Sequence, residues 1–573
     1  MTALTRSRAL LWLAIITAIG GGLRFYNLAW GAPYFHFHMD EHYVAMGADL
    51  LRMSMRAAAL SGKFFMYGPL PMYLLDVVRW VYEGAAHTLV LTNHQDGVTY
   101  MVMGRAISAA FGTGTILLAY AIAARVAGRL AGVLAAAFLA FSVLLIRDSH
   151  FFSVDMSMTF FCMLTWLALL RMAERGTVPS AVATGVAFAA ALTCKYTAIF
   201  MAVPIALAWV LSPGRPTVLE PYGGWVRWAL KGLIVPVTTI VTFVLIDPMV
   251  VLYFEKFQFD VRTQITEPLT GVTHRIIFAH FFDLPHPRLY FFTNLLWWGL
   301  GPALEIAGLA GVAWLLTRRS KTAVLSAIVP IAYFVVAGNT IAPFIRYAIP
   351  LAASLTIAAA VLCADLSRHP RWRVIGVTMT VIVLATTTAY AAAYMNIFRQ
   401  PDSRVAAGRY LRQALPAGAK VLVEPSQNTP PIGSYFYATD FYGDYVVWGP
   451  RQERLDFVQL YSLDTYVHLY DPQFPPEEKR GYIASKVSQA DWIVMDDTYL
   501  QWYDHLNDAQ YGPVKQYYRD LFAGRLGFEL DKTFKVYPSL FGYQINDDSS
   551  EFSFRLFDHP RIWVFRRTPT APQ

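Results

Sequence analysis

The chain has 573 residues, of which 56% are hydrophobic and only 15% charged, with a formal net charge of +8. Soluble domains carry about a quarter charged residues, so most of this surface must face lipid. The basic excess is scattered over the ends of apolar segments, which excludes a nucleic-acid-binding face and marks membrane topology instead. Cys162, Cys194 and Cys363 each lie inside an apolar run without metal-ligand spacing, so neither a disulfide nor a zinc site is expected.

Arg6 and Arg8 precede an apolar run over 9–28, long enough to cross a hydrocarbon core about 30 Å thick. No small-residue cleavage pattern follows it, so it reads as a span and not as a signal peptide. With the arginines inside, the stretch Tyr34–Tyr43 emerges outside. It holds the adjacent carboxylates Asp40 and Glu41 together with three histidines. Glu41 to Leu51 has the pattern of an amphipathic helix, and an Asp at its entry is well suited to cap the free N–H groups. Residues 51–93 are apolar but interrupted by Arg52, Arg56, Lys63, Asp76, Arg79, Glu83 and His87, the signature of a surface or re-entrant segment.

Ten more spans are predicted near 101–124, 130–146, 156–172, 179–194, 196–211, 230–250, 290–316, 322–337, 346–364 and 374–396. About eleven crossings result. Arg125, Arg129, Arg171, Arg175, Arg215, Arg227, Lys231, Arg318, Arg319, Lys321, Arg368, Arg371 and Arg373 then fall in inner loops. The short outer loops keep little beyond Arg147, Lys195 and Arg346, as the positive-inside rule requires. The pair 179–194 and 196–211 needs a tight reversal at Lys195, and 251–288 is left as a longer outer loop.

From about Ile397 Pro, Asp, Tyr and Gly increase, and strand-like runs occur at Lys420–Val423, Tyr445–Trp448, Trp492–Met495 and Arg561–Phe565. Asp402 to Leu415 has the pattern of a helix. The expected organisation is a transmembrane domain over 1–396 and an extracytoplasmic soluble α/β domain over 397–573. Asp440, Asp444, Asp496 and Asp497 read as ordinary surface of that domain. No internal repeat, phosphate-binding glycine loop or zinc pattern is present.

Ionisable groups at membrane depth are functional candidates by default. On the outer side these are Asp40, Glu41, Arg147, Asp148, His150, Asp155, Lys195 and Arg346, with Glu255, Lys256, Asp260, Arg262 and Glu267 in the longer loop. Carboxylates for proton abstraction beside cations for an anionic partner suit transfer of a sugar from a lipid phosphate. The phosphate leaves as an anion and needs positive charge, whereas the acceptor hydroxyl needs a base.

Several pieces carry a likeness in order and spacing over about 400 residues. They are His38-Met-Asp40-Glu41-His-Tyr43, Tyr67-Gly-Pro-Leu-Pro-Met-Tyr73, Arg105, Val154-Asp155-Met-Ser-Met-Thr-Phe160, Thr193-Cys-Lys195-Tyr196 and Arg346-Tyr-Ala-Ile-Pro350. Together they resemble the membrane-embedded GT-C glycosyltransferases, in particular protein O-mannosyltransferases and lipid A aminoarabinose transferases. The resemblance implies a multi-pass α-helical GT-C-like fold of about eleven spans plus surface helices, with the soluble α/β domain C-terminal. It implies an integral protein of the bacterial inner (plasma) membrane that moves a hexose or pentose from a polyprenyl-phosphate donor to a lipid, polysaccharide or protein acceptor, with inversion. Asp40 corresponds to the family's base, Glu41 stands beside it, and Asp155 corresponds to the second outer-loop acid.

Lys195 matches the family's basic residue, and Lys195, Arg346, Arg147 and Tyr67 are the candidates for the donor phosphate. One departure concerns residues 67–68, where many relatives carry a lysine before the Pro-rich element and this chain has Tyr67-Gly68. His36 and His38 alternate with Asp40, so an extended chain would put all three on one face, but no fixed ligand spacing supports a metal and no cofactor is expected. Asp155 equally suits a helix cap, Lys195 a snorkelling contact and Arg346 a headgroup anchor. A lipid or solute transporter is the alternative from another class, and an inactive GT-C-like binding protein is a third reading.

Overall fold

Apolar runs exposed to lipid must satisfy their own backbone groups, and here they do so as helices. The structure, a computed structural model, describes residues 5–32, 34, 38–60, 64–86, 94–214, 222–270, 281, 286–426, 428–432, 457–465 and 468–568. Among these residues six helices are long and apolar enough to cross a bilayer: Arg6–Phe25, Val98–Ala140, Val154–Arg175, Gly224–Ile246, Ile345–Arg368 and Arg373–Ala414. Shorter apolar helices at Val178–Cys194, Tyr196–Val210, Pro302–Thr317 and Lys321–Ala337 stand with them. The first eight helices are α1 (Arg6–Phe25), α2 (Met39–Met53), α3 (Met55–Leu60), α4 (Leu70–Ala86), α5 (His94–Ala140), α6 (Val143–Asp148), α7 (Val154–Arg175) and α8 (Val178–Cys194).

Two hairpins are built on close backbone approach. Within α5 the chain reverses at Ala127 and Gly128, where Gly128 takes φ 78°, a conformation that costs an L side chain but not glycine. Beyond the turn Gly132 packs against Tyr120 with no room for a Cβ between them. The second hairpin follows α8: the chain turns at Lys195, runs on through Val210, and brings Pro213 back beside Gly176 at the start of α8. The reversal required at Lys195 therefore exists. By contrast, the single span expected over 290–316 is broken at Gly301 (φ 81°), and Pro302 starts a new helix, Pro302–Thr317. The outer loop expected over 251–288 contains a helix, Phe254–Thr270, in which Lys256 and Asp260 pair one turn apart.

The charged loops sort to two ends of the bundle. At one end Arg125 pairs with Glu174 (2.7 Å) and Arg318 with Asp365 (2.7 Å), while Arg368 donates to the Ala127 carbonyl. These are the loops that the positive-inside reading grouped together. At the other end Arg24, fully buried, donates to the Leu139 and Ala140 carbonyls at 3.0 Å and ties α1 to the end of α5. Asp40, His150, Asp155, Lys195 and Arg346 lie at this second end. The surface segment folds as α2 to α4, whose polar groups pair across the helices: Arg52 with Asp76 (3.2 Å) and Arg79 with Asp49 (2.5 Å).

The last of the long apolar runs, Arg373–Ala414, holds two helices, Arg373–Arg399 and Ser403–Ala414, and Asp402 caps the second by accepting the Arg404 N–H at 2.8 Å. A five-stranded sheet follows in the order β2-β1-β3-β7-β4, with β1 (Lys420–Val423), β2 (Gln459–Ser462), β3 (Trp492–Asp496), β4 (Phe528–Phe534) and β7 (Ile562–Arg567). A two-stranded ribbon joins β5 (Ser539–Leu540) to β6 (Tyr543–Gln544). The first three strands pair in parallel, and β7 and β4 are added antiparallel. The apolar runs at β1, β3 and β7 are the buried central strands. Strands β2 and β4 are partly exposed and rich in polar residues, so their sequence carries no comparable signal. The run Tyr445–Trp448 lies outside the described residues.

Asp496 and Asp497 are not surface residues. Both are buried, Asp496 accepting the Thr498 N–H at 2.8 Å and Asp497 pairing with Arg555 at 2.9 Å. Asp440 and Asp444 lie outside the described residues. The segment 547–559 docks the sheet onto the membrane helices, and its Asp558 accepts a hydrogen bond from Tyr394 at 2.6 Å. His559 sits between Asp547 (2.8 Å) and Asp558. Burial alone would lower its pKa, but the two carboxylates push it up to about 9. A histidine whose folded pKa is raised stabilises the fold below its ordinary value of 6.5 and loses that contribution as pH rises through about 9. Thermal unfolding of the wild type should therefore soften between these pH values, and His559→Gln should flatten that dependence.

Candidate active site at the end of the bundle

The site starts with the entry to α2. His38, not Asp40, is the capping residue: its Nδ1 accepts the Asp40 N–H at 3.1 Å. Its ring packs against Phe557 (centroids 3.9 Å apart) and Phe151 (5.0 Å). This burial lowers its pKa to about 4, so the ring is neutral at physiological pH and its Nδ1 is free to accept. The Asp40 carboxylate is thereby released from capping.

Asp40 Oδ2 accepts Arg346 Nη1 at 2.5 Å and Oδ1 accepts the Tyr67 hydroxyl at 2.9 Å. Burial by itself would raise its pKa, but Arg346, His38, Lys195 and the Tyr67 hydroxyl hold it below the usual carboxylate range. A second pair lies beside the first: Lys195 Nζ donates to Asp155 Oδ1 at 2.7 Å. Tyr347 joins the two pairs, its ring centroid 5.1 Å from Lys195 Nζ and 5.6 Å from the Arg346 guanidinium carbon. The carboxylate side chains are only 1–2% exposed, whereas Arg346 is 22% and Lys195 13% exposed. The acids thus form the floor and the cations the accessible face. Arg346 Nε and Asp155 Oδ2 are buried without a hydrogen-bond partner, which leaves polar capacity in the cluster.

The structure brings together Asp40, Tyr67, Asp155, Lys195 and Arg346. Two other candidates have different surroundings. Glu41 is buried and takes both Arg105 Nε (2.7 Å) and Nη2 (3.1 Å), while Oε1 also accepts the Phe152 N–H at 3.0 Å. Arg105 completes this brace by donating to the Leu28 and Trp30 carbonyls at 3.0 and 2.9 Å. Glu41 therefore locks α2 to α5, its carboxylate taken up by Arg105 and the Phe152 N–H. Arg147 is equally enclosed, donating to the Phe554 (3.1 Å) and Ser553 (2.6 Å) carbonyls and pairing with Asp148 and Asp558. It joins the C-terminal domain to α6 and is not placed to hold a phosphate. Tyr67, half-buried, donates its hydroxyl to Asp40.

His36 lies outside the described residues. Asp40 and Asp155 each face a cation, and among the described residues no three His, Cys, Asp or Glu side chains converge as metal ligands. A cavity of about 560 Å³ lies at the junction with the C-terminal domain, lined by Tyr290, Asp497, His505, Arg555 and Trp563 among others, and the four clustered charges are not part of its wall.

Sequence reasoning missed Tyr347, although it stands next to Arg346. It also missed the reason for Gly68. A Cβ there would sit 2.2 Å from the Thr193 carbonyl oxygen and 2.8 Å from the Cys194 carbonyl carbon, directly before Lys195. No lysine fits at this position.

Residues 97–241 match the family model of dolichyl-phosphate-mannose-protein mannosyltransferases. The oligosaccharyltransferase of Archaeoglobus fulgidus in its apo form superposes with TM-score 0.54 at 13% identity, over 95% of this chain and 76% of that one. The same enzyme tethered to an acceptor peptide gives TM-score 0.52 at 13% identity, over 89% and 72%. This is a GT-C glycosyltransferase fold. ArnT from Cupriavidus metallidurans bound to undecaprenyl phosphate is 16% identical over 98% of this chain and 99% of that one, with TM-score 0.46. No curated protein matches the GT-C chain by sequence. With its apolar spans, the chain is an integral membrane protein of this fold.

Gly68→Ala should destabilise the GT-C chain by about 1–3 kcal/mol through overpacking against backbone, seen as a lower unfolding temperature. Glu41→Gln leaves Arg105 buried without its counter-charge and should cost about 3–5 kcal/mol, read as lost folded yield. Pairing it with Arg105→Met should restore part of that yield.

Proposed function

We propose that the chain is a glycosyltransferase that moves a sugar from a polyprenyl-phosphate donor to an acceptor hydroxyl at the outer face of the membrane, with inversion. The observation that carries this reading is the Asp40–Arg346 pair set beside Asp155–Lys195 around Tyr347, with the cations outermost. The match of residues 97–241 to a family that uses dolichyl-phosphate-mannose supports the donor class. The donor phosphate docks on Arg346 and Lys195, and contact with phosphate draws Arg346 away from Asp40. The freed carboxylate takes the acceptor proton as the hydroxyl oxygen bonds to the anomeric carbon. The bond from that carbon to the phosphate oxygen breaks, and the lipid phosphate leaves as an anion facing Arg346 and Lys195. Asp155 keeps Lys195 in place.

Asp40→Asn keeps the size and most hydrogen bonding but cannot take a proton at neutral pH. In a transfer assay with a labelled polyprenyl-phosphate sugar it should lose about 10²–10⁴-fold in rate while the folded yield stays near wild type. Folded protein with near-normal turnover would remove Asp40 from the mechanism. Lys195→Ala should instead raise the donor KM.

The base must be ionised, and in the donor-free enzyme Arg346 keeps the Asp40 pKa low, so kcat/KM, which reports the free enzyme, should fall only when pH drops below the ordinary carboxylate range. Arg346→Gln removes that hold and should move the acid limb of the rate profile to higher pH. For the outer orientation, a single cysteine placed in the C-terminal domain should react with an impermeant thiol reagent in intact cells, and labelling only after lysis would reverse it.

A further inference from the structure

The two partners of the Asp40–Arg346 pair are 306 positions apart, yet one short segment of the C-terminal domain touches a residue next to Arg346 and the residue that caps the Asp40 N–H. Glu551 Oε2 accepts the N–H of Ile345, the residue before Arg346, at 2.9 Å, and both groups are buried. Phe552 lies edge-on to Phe344 (centroids 5.8 Å apart), and Phe344 lies beneath the Arg346 guanidinium at 5.3 Å. Five residues on, the Phe557 ring packs against His38, which caps the Asp40 N–H. Arg147 anchors the stretch between them through the Ser553 and Phe554 carbonyls and Asp558. A segment serving only to attach the domain would have no need to reach Ile345 and His38.

We propose that Glu551 and Phe557 are positioning residues, which set the distance and angle of the Asp40–Arg346 pair from the C-terminal domain. Glu551 acts on Arg346 through the Ile345 backbone, and Phe557 acts on Asp40 through the His38 cap. The domain is then a working part of the transferase site while supplying none of its reacting groups. This inference rests on the function proposed above.

The test uses the full-length protein in lipid nanodiscs, with transfer rate followed against pH and folded state by thermal unfolding. The charged and titratable groups facing Asp40 are Arg346, Lys195, Tyr67 and His38, with Glu41 and Arg147 behind them. Arg346 is the one that Glu551 positions. In folded Glu551→Ala the acid limb should therefore move to higher pH, toward that of Arg346→Gln, and the rate at neutral pH should fall at least about tenfold. Glu551→Gln still offers an oxygen to the Ile345 N–H and should restore both.

Ile345→Pro provides a second route, because it removes the N–H at the first position of a short helix, where proline is tolerated, and leaves Glu551 in place. It should reproduce the Glu551→Ala limb. A wild-type limb and rate in either folded variant, with Asp40→Asn inactive, would overturn this inference alone. An active Asp40→Asn would overturn the underlying function instead.

Discussion

The structure depends on the cost of enclosing charge at the edge of a membrane. An isolated carboxylate or guanidinium in such a place is strongly unfavourable, and it is tolerated when paired and hydrogen-bonded. Asp40 with Arg346 and Asp155 with Lys195 meet that condition, and the Tyr347 ring lies within cation–π distance of both cations. Elements that carry these residues are thereby fixed relative to one another: α2, α7, the end of α8 and the short turn Ile345–Ala348. The pairing that holds the bundle together at this end also gives it acids underneath and accessible cations above.

Local chemistry around the cluster keeps each member available. An Asp at a helix entry normally spends its carboxylate on backbone N–H groups. Here His38 takes over the cap, kept neutral by burial among aromatic rings, so Asp40 faces Arg346 and Tyr67. Glu41, one residue on, is consumed by Arg105 and points elsewhere. Two adjacent acids therefore differ in role because successive helix positions point about 100° apart, one toward the cluster and one toward α5. Gly68 extends the same logic to backbone, since its missing side chain lets Tyr67 approach Asp40 while the Lys195 turn passes directly beneath.

The C-terminal domain follows the membrane helices closely. Its buried segment 547–559 makes hydrogen bonds to α6 and to the Ile345 backbone, and its His559 is held as a cation between two carboxylates. These contacts are short, directional and buried, which favours a fixed arrangement over a tethered one.

The sequence alone determined the class and most of the architecture. Lipid-facing helices announce themselves by length and apolarity, and the arginine-rich loops sort the helices to two ends, so the membrane class and the location of Asp40, Asp155, Lys195 and Arg346 at one end were legible, while the number of crossings was not. Buried strands β1, β3 and β7 were legible for the same reason, through uninterrupted apolar runs. The break at Gly301-Pro302 was written in the sequence too, but a hydropathy window averages over it. What only the tertiary structure decided is which charge meets which. Glu41 and Arg147 stood among the sequence candidates because a side chain's partner depends on helix rotation and on residues far away in the chain, here Arg105, Ser553, Phe554 and Asp558. Periodicity specifies a face of a helix. The interaction across that face is set by packing, and packing brought Asp40, Asp155, Lys195 and Arg346 from four separate stretches into two ion pairs around one tyrosine.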